Sequence, residues 1–196
     1  KINRRISGKF ELETRSGKIY ECDILALATP MDIANKWLAK PQKINLEFVS
    51  ANPTGPLTMA NGRGGFYGDV LANVFSAVGH KVTKEYYVND AGNQVRLLGE
   101  SLLAAVGHMP SAENHYKDTY VKALAKKLKP KKGMDAEALG KQAAAILLKV
   151  IQASLKKAGI NHDVWFSEDK NLHKKKELQK TLEMLRAKNR TEKKDG

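Results

Sequence analysis

Between Leu46 and Asp69 the chain reads LEFVSANPTGPLTMANGRGGFYGD, and this stretch constrains the fold more than any other. A short apolar strand, Asn45 to Val49, runs into Asn52-Pro53-Thr54-Gly55-Pro56, where two prolines and a glycine in five residues exclude helix and sheet alike. Beyond it, the apolar spacing predicts a helix over about Asn61 to Val78, with Phe66, Val70, Leu71, Val74, Phe75 and Val78 on one face and Gly79 as its stop. Gly62, Gly64, Gly65 and Gly68 fall in its first two turns. Each glycine costs a helix about 1 kcal/mol relative to alanine, so this density needs a reason. Either a ligand approaches the backbone at the helix N-terminus, where free N–H groups attract anions, or the helix packs closely on its sheet through small residues. The residues leave both readings open. Neither common nucleotide motif is present: no Gly-Lys-Ser/Thr follows the loop, and the glycines lack Gly-x-Gly-x-x-Gly spacing.

The flanking sequence extends the pattern. Lys81 to Val88 reads as a second strand and Asn93 to Val106 as a second helix. Strand, tight turn, helix and strand within about 45 residues signal an α/β fold, a parallel sheet with crossover connections. Two parallel strands are expected in this region. Asn89 to Gln94 lies on the crevice side of such a sheet, and Asp90 is expected to cap the helix. From Pro110 onward the chain reads as helical: Tyr116 to Leu128, then Asp135 to Ala158 after a Pro130–Gly133 linker, then Lys174 to Lys188. Val164 to Ser167 is a candidate short strand, and Trp165 and Phe166 are expected in the core. Ahead of the α/β region, Phe10 to Thr14 and Ile19 to Ala28 predict a β-hairpin and Met31 to Ala39 a short helix, with Pro41 breaking the chain near Lys40 to Lys43. Three segments are therefore expected: 1–43, a hairpin and helix of unknown role; 44–109, the first half of a Rossmann-like domain; and 110–196, a basic helical insertion continuing that domain and cut short at its end.

Charge separates the same zones. The 196 residues carry a net +13, but Lys1 to Tyr116 holds 13 basic and 11 acidic residues, against 21 and 10 from Lys117 to Gly196. Such a field attracts polyanions, nucleic acid above all; the alternative is a set of solvated Lys-rich helix faces. Cys22 stands alone and no Cys/His group has zinc spacing, which excludes a disulfide scaffold and a zinc module. His80, His108, His115, His162 and His173 share no metal-ligand spacing, so no protein-bound metal is expected. No apolar run approaches the roughly 20 residues of a membrane-spanning helix. A start at Lys1 without a signal-peptide pattern suggests a piece of a longer cytosolic protein.

EFVSANPTGPL, then GRG, YGDVLAN, EYYVNDAGNQ, ENHYKDTYV, GKQAAAILLKVIQASLKKAGI and DVWFSE follow one another in an order that resembles the arginyl-tRNA synthetases, class I aminoacyl-tRNA synthetases, from about Ile44 to Gly196. The resemblance implies the N-terminal part of a Rossmann-like catalytic domain. It also implies a cytoplasmic, monomeric enzyme that activates arginine with ATP, accompanied by Mg2+, to arginyl-adenylate and transfers it to tRNA(Arg). Pro56, Leu57, Thr58, Ala60, Asn61 and Gly62 would bind ATP, with Thr58 and Asn61 catalytic. Glu47, Ser50 and Asn52 would bind arginine, a role that suits a fixed carboxylate facing a cation; without the resemblance, Glu47 reads as a surface acid on an edge strand.

The sequence departs from the family at Thr58-Met59-Ala60-Asn61, which stands where the family has His-x-Gly-His. Thr and Asn still offer hydrogen bonds to phosphate oxygens, whereas Ala60 adds a methyl group where adenine would lie. The competing reading is a non-catalytic RNA-binding paralogue with a lapsed ATP site. Residues 1–43 do not match the family; GKFELETRSGKIYECDILALAT faintly resembles two-dinucleotide flavoproteins, with Pro30 where glycine is expected. No lysine-bearing loop of the kind that closes on pyrophosphate in the family is present, so the 196 residues alone are expected to be inactive.

Overall fold

Alternating apolar residues near the start of the chain pair as an antiparallel sheet. In the computed structural model, which describes residues 2–4, 10–13, 19–22 and 41–192, β1 (Ile2–Arg4), β2 (Phe10–Glu13) and β3 (Ile19–Cys22) lie in the order β1-β2-β3. Phe10 faces Cys22 and Glu13 faces Ile19, the register of the expected hairpin, with β1 added on its free side. The predicted extension of the second strand beyond Cys22 and the helix over Met31 to Ala39 lie outside the described residues. The chain divides into two units, Lys1–Pro41 and Gln42–Gly196.

The second unit is built on a parallel sheet. β4 (Lys43–Glu47), β5 (Lys81–Val88) and β6 (Val164–Ser167) pair in that order, with Glu47 opposite Glu85, Glu85 opposite Val164 and Val88 opposite Ser167. The expectation of two parallel strands is thus corrected to three, because the short segment 164–167 crosses back to the free edge of β5. Between strands run α1 (Met59–Ala77), α2 (Asn93–Ala105), α3 (Thr119–Leu128) and α4 (Ala136–Lys157); a π-helical turn at Asp169–His173 and α5 (Glu177–Ala187) follow β6.

Two apolar cores result. Leu98, Leu102, Val121, Leu124, Leu139, Ala143 and Leu147 fill the space among α2, α3 and α4. Phe48, Tyr86, Val88, Ile151, Leu155 and Ile160 form the second, under the sheet. With 22 residues, about 33 Å, α4 reaches both. Its contact with α2 is close enough to exclude side chains: a Cβ at Gly99 would fall on the Ala136 carbonyl, and one at Gly140 on the Val95 carbonyl.

Helix α1 turns a different face inward from the one its apolar residues predict. Gly65, Gly68 and Ala72 are buried, while Phe66, Val70 and Val74 are 57%, 60% and 52% exposed. Phe48 from the end of β4 occupies the space beside Gly68, where a Cβ would come within 2.6 Å of the Phe48 Cβ, and Ile160 presses on Gly65. Only residues without bulk fit there, so the glycines outrank the larger apolar side chains. Lys84 and Asp69 add a partly buried 2.8 Å ion pair between β5 and α1.

Smaller corrections concern helix ends. α3 begins at Thr119, with Asp118 accepting from the Thr119 N–H as its cap, rather than at Tyr116. α5 begins at Glu177 rather than Lys174, because the π turn and a left-handed Lys176 (φ 57°) precede it, and its predicted apolar stripe stays uncovered, with no buried residue. The α2 cap is Gly92, at φ 79°, and not Asp90.

Candidate functional site

Strand β4 delivers its last side chains to the C-terminal edge of the sheet, the usual ligand side of an open parallel α/β sheet. The loop that follows departs from ordinary backbone geometry. Val49 (φ 69°) and Ser50 (φ 37°) are both left-handed. For a β-branched residue that conformation costs about 1–2 kcal/mol and must be held by its surroundings. Four hydrogen bonds hold it. His162 Nε2 lies 3.2 Å from the Phe48 carbonyl, and the Tyr87 N–H donates to Ser50 Oγ at 3.0 Å. Tyr86 OH donates to the Ala51 carbonyl at 2.8 Å, and Asn52 Nδ2 donates to Gln94 Oε1 at 2.6 Å. Farther on, Pro53 and Thr54 are buried, and Tyr120 OH donates to the Thr54 carbonyl at 2.8 Å.

Of the three residues expected to meet the amino acid, Ser50 and Asn52 are therefore tied into the loop, and only Glu47 is exposed with neither a hydrogen bond nor an ion pair among the described residues. Its charge is felt nearby. The Tyr87 phenol is pushed up to about 12, first by burial, then by its hydrogen bond to Glu168, with the charges of Glu47 and Asp90 acting in the same direction.

Seven residues beyond Asn52, the start of α1 is closed by a reciprocal cap. Thr58 N–H and Thr58 Oγ1 both donate to Asn61 Oδ1, at 2.9 and 2.7 Å, and the Asn61 N–H points back to Thr58 Oγ1 at 3.4 Å. Thr-Met-Ala-Asn is thus a capping box with Asn in the third helical position, which satisfies donors a helix otherwise leaves open. The cap uses the Asn61 oxygen and leaves its Nδ2 without a partner among the described residues. Pro56 and Ala60 are exposed, Leu57 packs against the sheet core, and a Cβ at Gly62 would meet nothing within 4 Å. No acidic side chain stands in the first turn, so the positive end of the helix dipole is uncompensated. The two readings of the glycines both apply, divided by position: Gly65 and Gly68 serve packing, whereas Gly62 and Gly64 face open space.

The ends of β5 and β6 are linked by side chains that the sequence reading did not place in the site. Asp90 accepts from Ser167 Oγ at 2.6 Å and from the Asp169 N–H at 2.9 Å, joining the two strand ends instead of capping α2. Glu168 accepts from Tyr87 OH at 2.9 Å and meets His173 Nε2 at 3.1 Å. Asp169 is held below the usual carboxylate range, first by its hydrogen bond to Lys174 at 2.7 Å and then by the charge of Lys141 at 3.4 Å. His162 had no assigned role. It lies against Phe48 (4.4 Å), Tyr86 (5.3 Å) and Trp165 (5.4 Å), and burial holds its imidazole below the usual range. Its signal in the sequence is faint: a histidine two residues ahead of a short strand of aromatic residues. A separate 130 Å³ cavity, lined by Ser101, His115, Tyr116 and Lys122 among others, shares no residue with this region.

Known proteins resemble this chain in sequence and in fold. The chain is 43% identical over 138 residues to the arginine–tRNA ligase of Chlorobium phaeovibrioides, an alignment that takes in 65% of this chain and 25% of the relative. It is 38% identical over 169 residues to that of Carboxydothermus hydrogenoformans, covering 79% of this chain and 30% of the relative. A solved structure from Campylobacter jejuni assigned as an arginyl-tRNA synthetase aligns with a TM-score of 0.65 at 34% identity, over 80% of this chain and 39% of that one. In sequence and fold the chain corresponds to part of an arginyl-tRNA synthetase. The Thermus thermophilus arginyl-tRNA synthetase, at 19% identity and a TM-score of 0.56, covers 90% of this segment and 32% of its own chain, and supports the fold alone. No family model matches the segment. It spans about a quarter to a third of the length of the curated relatives it matches.

Proposed function

We propose that this synthetase segment supplies the ATP- and arginine-binding half of a catalytic domain, residues 44–109, continued by residues 110–196, which are mainly helical and add β6 to the sheet. The proposed reaction is activation of arginine: its carboxylate attacks the α-phosphorus of ATP, the new C(O)–O–P bond forms, and pyrophosphate leaves with the electron pair of the broken P–O bond. A terminal hydroxyl of tRNA(Arg) then attacks the arginyl carbonyl, an ester bond forms, and AMP leaves with the electron pair of the broken C(O)–O bond. The observation that carries this reading is one clamped loop that joins an unpaired carboxylate, Glu47, to the start of α1, where the capped Asn61 keeps an Nδ2 without a partner among the described residues.

Each part has a physical role in the proposal. Glu47 presents a fixed negative charge to the guanidinium, the strongest kind of pairing available to a carboxylate. Ser50 and Asn52 shape the pocket from a loop held by two bonds to its backbone and by one bond at each of these two side chains. The free Nδ2 of Asn61 and the first N–H groups of α1 donate to phosphate oxygens as negative charge builds on them. Thr58 holds Asn61 in place. The bare backbone at Gly62 and the exposed Pro56 and Ala60 leave room for the nucleotide, beside a half-buried Leu57. Mg2+ would travel with the phosphates of ATP; among the described residues no group of three His, Cys, Asp or Glu gathers to hold an ion. The basic second half, with 21 basic against 10 acidic residues, supports a tRNA partner. In keeping with the resemblance, the proposal places a monomer in the cytoplasm; among the described residues no helix is long and apolar enough to cross a membrane.

The test is Glu47→Gln in the full-length protein that carries this chain. Loss of one charge-assisted pairing should raise the KM for arginine roughly 10- to 100-fold with the KM for ATP unchanged. Equal changes for both substrates would assign Glu47 to the strand instead.

A further inference from the structure

Two of the residues assigned to arginine, Ser50 and Asn52, sit on a loop outside any helix or strand, so something other than regular structure must fix their positions. Among the bonds that reach this loop, the one from Tyr86 comes from a buried aromatic side chain. Tyr86 is wholly buried in the central strand; its ring stacks on Trp165 at 4.4 Å and 21° and meets His162 edge-on at 5.3 Å. A ring packed on both sides delivers its hydroxyl to one place. Burial pushes the phenol up to about 12, so it stays protonated and remains a donor at any physiological pH. The acceptor, the Ala51 carbonyl, belongs to the peptide bond leading into Asn52, one residue beyond the left-handed pair Val49 and Ser50. Two consecutive non-glycine residues at positive φ relax toward ordinary geometry unless the chain beyond them is anchored. The anchor on the near side is the contact from His162 to the Phe48 carbonyl, and the anchor on the far side is Tyr86.

We propose that Tyr86 is a positioning residue for the amino-acid site: its hydroxyl, bonded to the Ala51 carbonyl from the buried face of β5, keeps Ser50 and Asn52 in the geometry that receives the substrate. It touches no substrate itself. The proposal rests on the arginine-site reading above.

The experiment is Tyr86→Phe in the full-length protein, which keeps the ring and its packing and removes one donor. The expected result is a rise in the KM for arginine of roughly 3- to 10-fold, the size of one neutral hydrogen bond, with the KM for ATP unchanged. An unchanged arginine KM, or equal rises for both substrates, overturns it. His162→Phe, which removes the near anchor, should show the same arginine-selective rise, and His162→Gln, which keeps an N–H donor, should largely restore the wild-type value; this pair decides the matter if Tyr86→Phe does not fold. Backbone amide resonances separate the two layers of argument. If the wild type shows no arginine dependence, the substrate assignment fails. Shifts of Ser50, Ala51 and Asn52 in Tyr86→Phe, with those of β5 unmoved, still support the anchoring role, and unmoved loop resonances refute it.

Discussion

Asn61 does two jobs with two ends of one amide. Its oxygen closes the cap on Thr58, and its Nδ2 has no partner among the described residues. Asn61→Ala removes both, so a loss of activity in that variant would mix helix fraying, worth about 1 kcal/mol, with a lost phosphate contact. Asn61→Asp separates them. The carboxylate still accepts from Thr58 and suits the helix N-terminus, so stability should stay within about 0.5 kcal/mol of wild type. The donor to phosphate is gone and a like charge replaces it, so the activation rate should fall by roughly 100-fold or more. Urea denaturation and single-turnover kinetics on the same preparation check both halves, and an unchanged rate would remove Asn61 from the chemistry.

His162 gives the residue scale a pH signature. Its folded-state imidazole lies below the ordinary range, chiefly through burial, so the unfolded chain takes up the proton first. Stability is therefore complete above about pH 6.5 and falls as pH drops below it, by linkage. The melting temperature of the wild type should decline more steeply than that of His162→Gln between pH 7.5 and 5.5; parallel curves would contradict the assignment. The sequence analysis did not name the Thr58–Asn61 cap, and the cap it placed at Asp90 belongs to Gly92. Thr58 and Asn61 are three apart on one helix, and their proximity is readable from spacing. The Asp90–Ser167 pair and the His162–Phe48 contact join residues 77 and 114 positions apart, and nothing local in the sequence announces either.

At the scale of elements, periodicity located the helices, but bulk decided which face went inside. Counting apolar residues put Phe66, Val70 and Val74 of α1 against the sheet; the close approach of Phe48 puts Gly65 and Gly68 there instead. The stripe readable in α4 runs through Leu139, Ala143, Ile146, Leu147, Val150, Ile151 and Leu155; five of these are buried, Ile146 is half-buried and Val150 is exposed. What the stripe does not reveal is the glycine contact beside it. Gly99 and Gly140 let α2 and α4 meet backbone to backbone, and an added methyl group there collides with a carbonyl, not with a side chain that can turn away. Gly99→Ala and Gly140→Ala should each destabilise the fold by roughly 3 kcal/mol or more, at the upper end for overpacking. Gly64→Ala, at an exposed helical position with nothing within 4 Å, should instead stabilise by up to about 1 kcal/mol. Denaturant midpoints of the three variants test the contrast, and a tolerated Gly140→Ala would mean the helices have room to separate.

Across the second unit, one long helix ties two cores to one site. α4 buries its first half among α2 and α3 and its second half beneath the strands, so the helical residues after Pro110 and the sheet that carries Glu47 form one continuous packing arrangement. The strand order with β5 in the centre explains why Tyr86 and Tyr87 reach both neighbours: one bonds the loop after β4, and the other bonds Glu168 after β6. Charge follows the same division, with the acidic and polar groups of the site at the strand ends and the excess of lysine on the helices beyond. The apolar side chains that α1 leaves exposed are a reason to expect no activity from the 196 residues in isolation. The central claim, that the loop after β4 and the start of α1 form an arginine- and ATP-binding site, is tested most directly by pyrophosphate exchange with the full-length protein and tRNA present. The account predicts exchange that requires arginine, is not supported by lysine or citrulline, and is lost when Glu47 is replaced by Gln at arginine concentrations near the wild-type KM. Exchange that ignores the identity of the amino acid, or that survives this replacement unchanged, would contradict it.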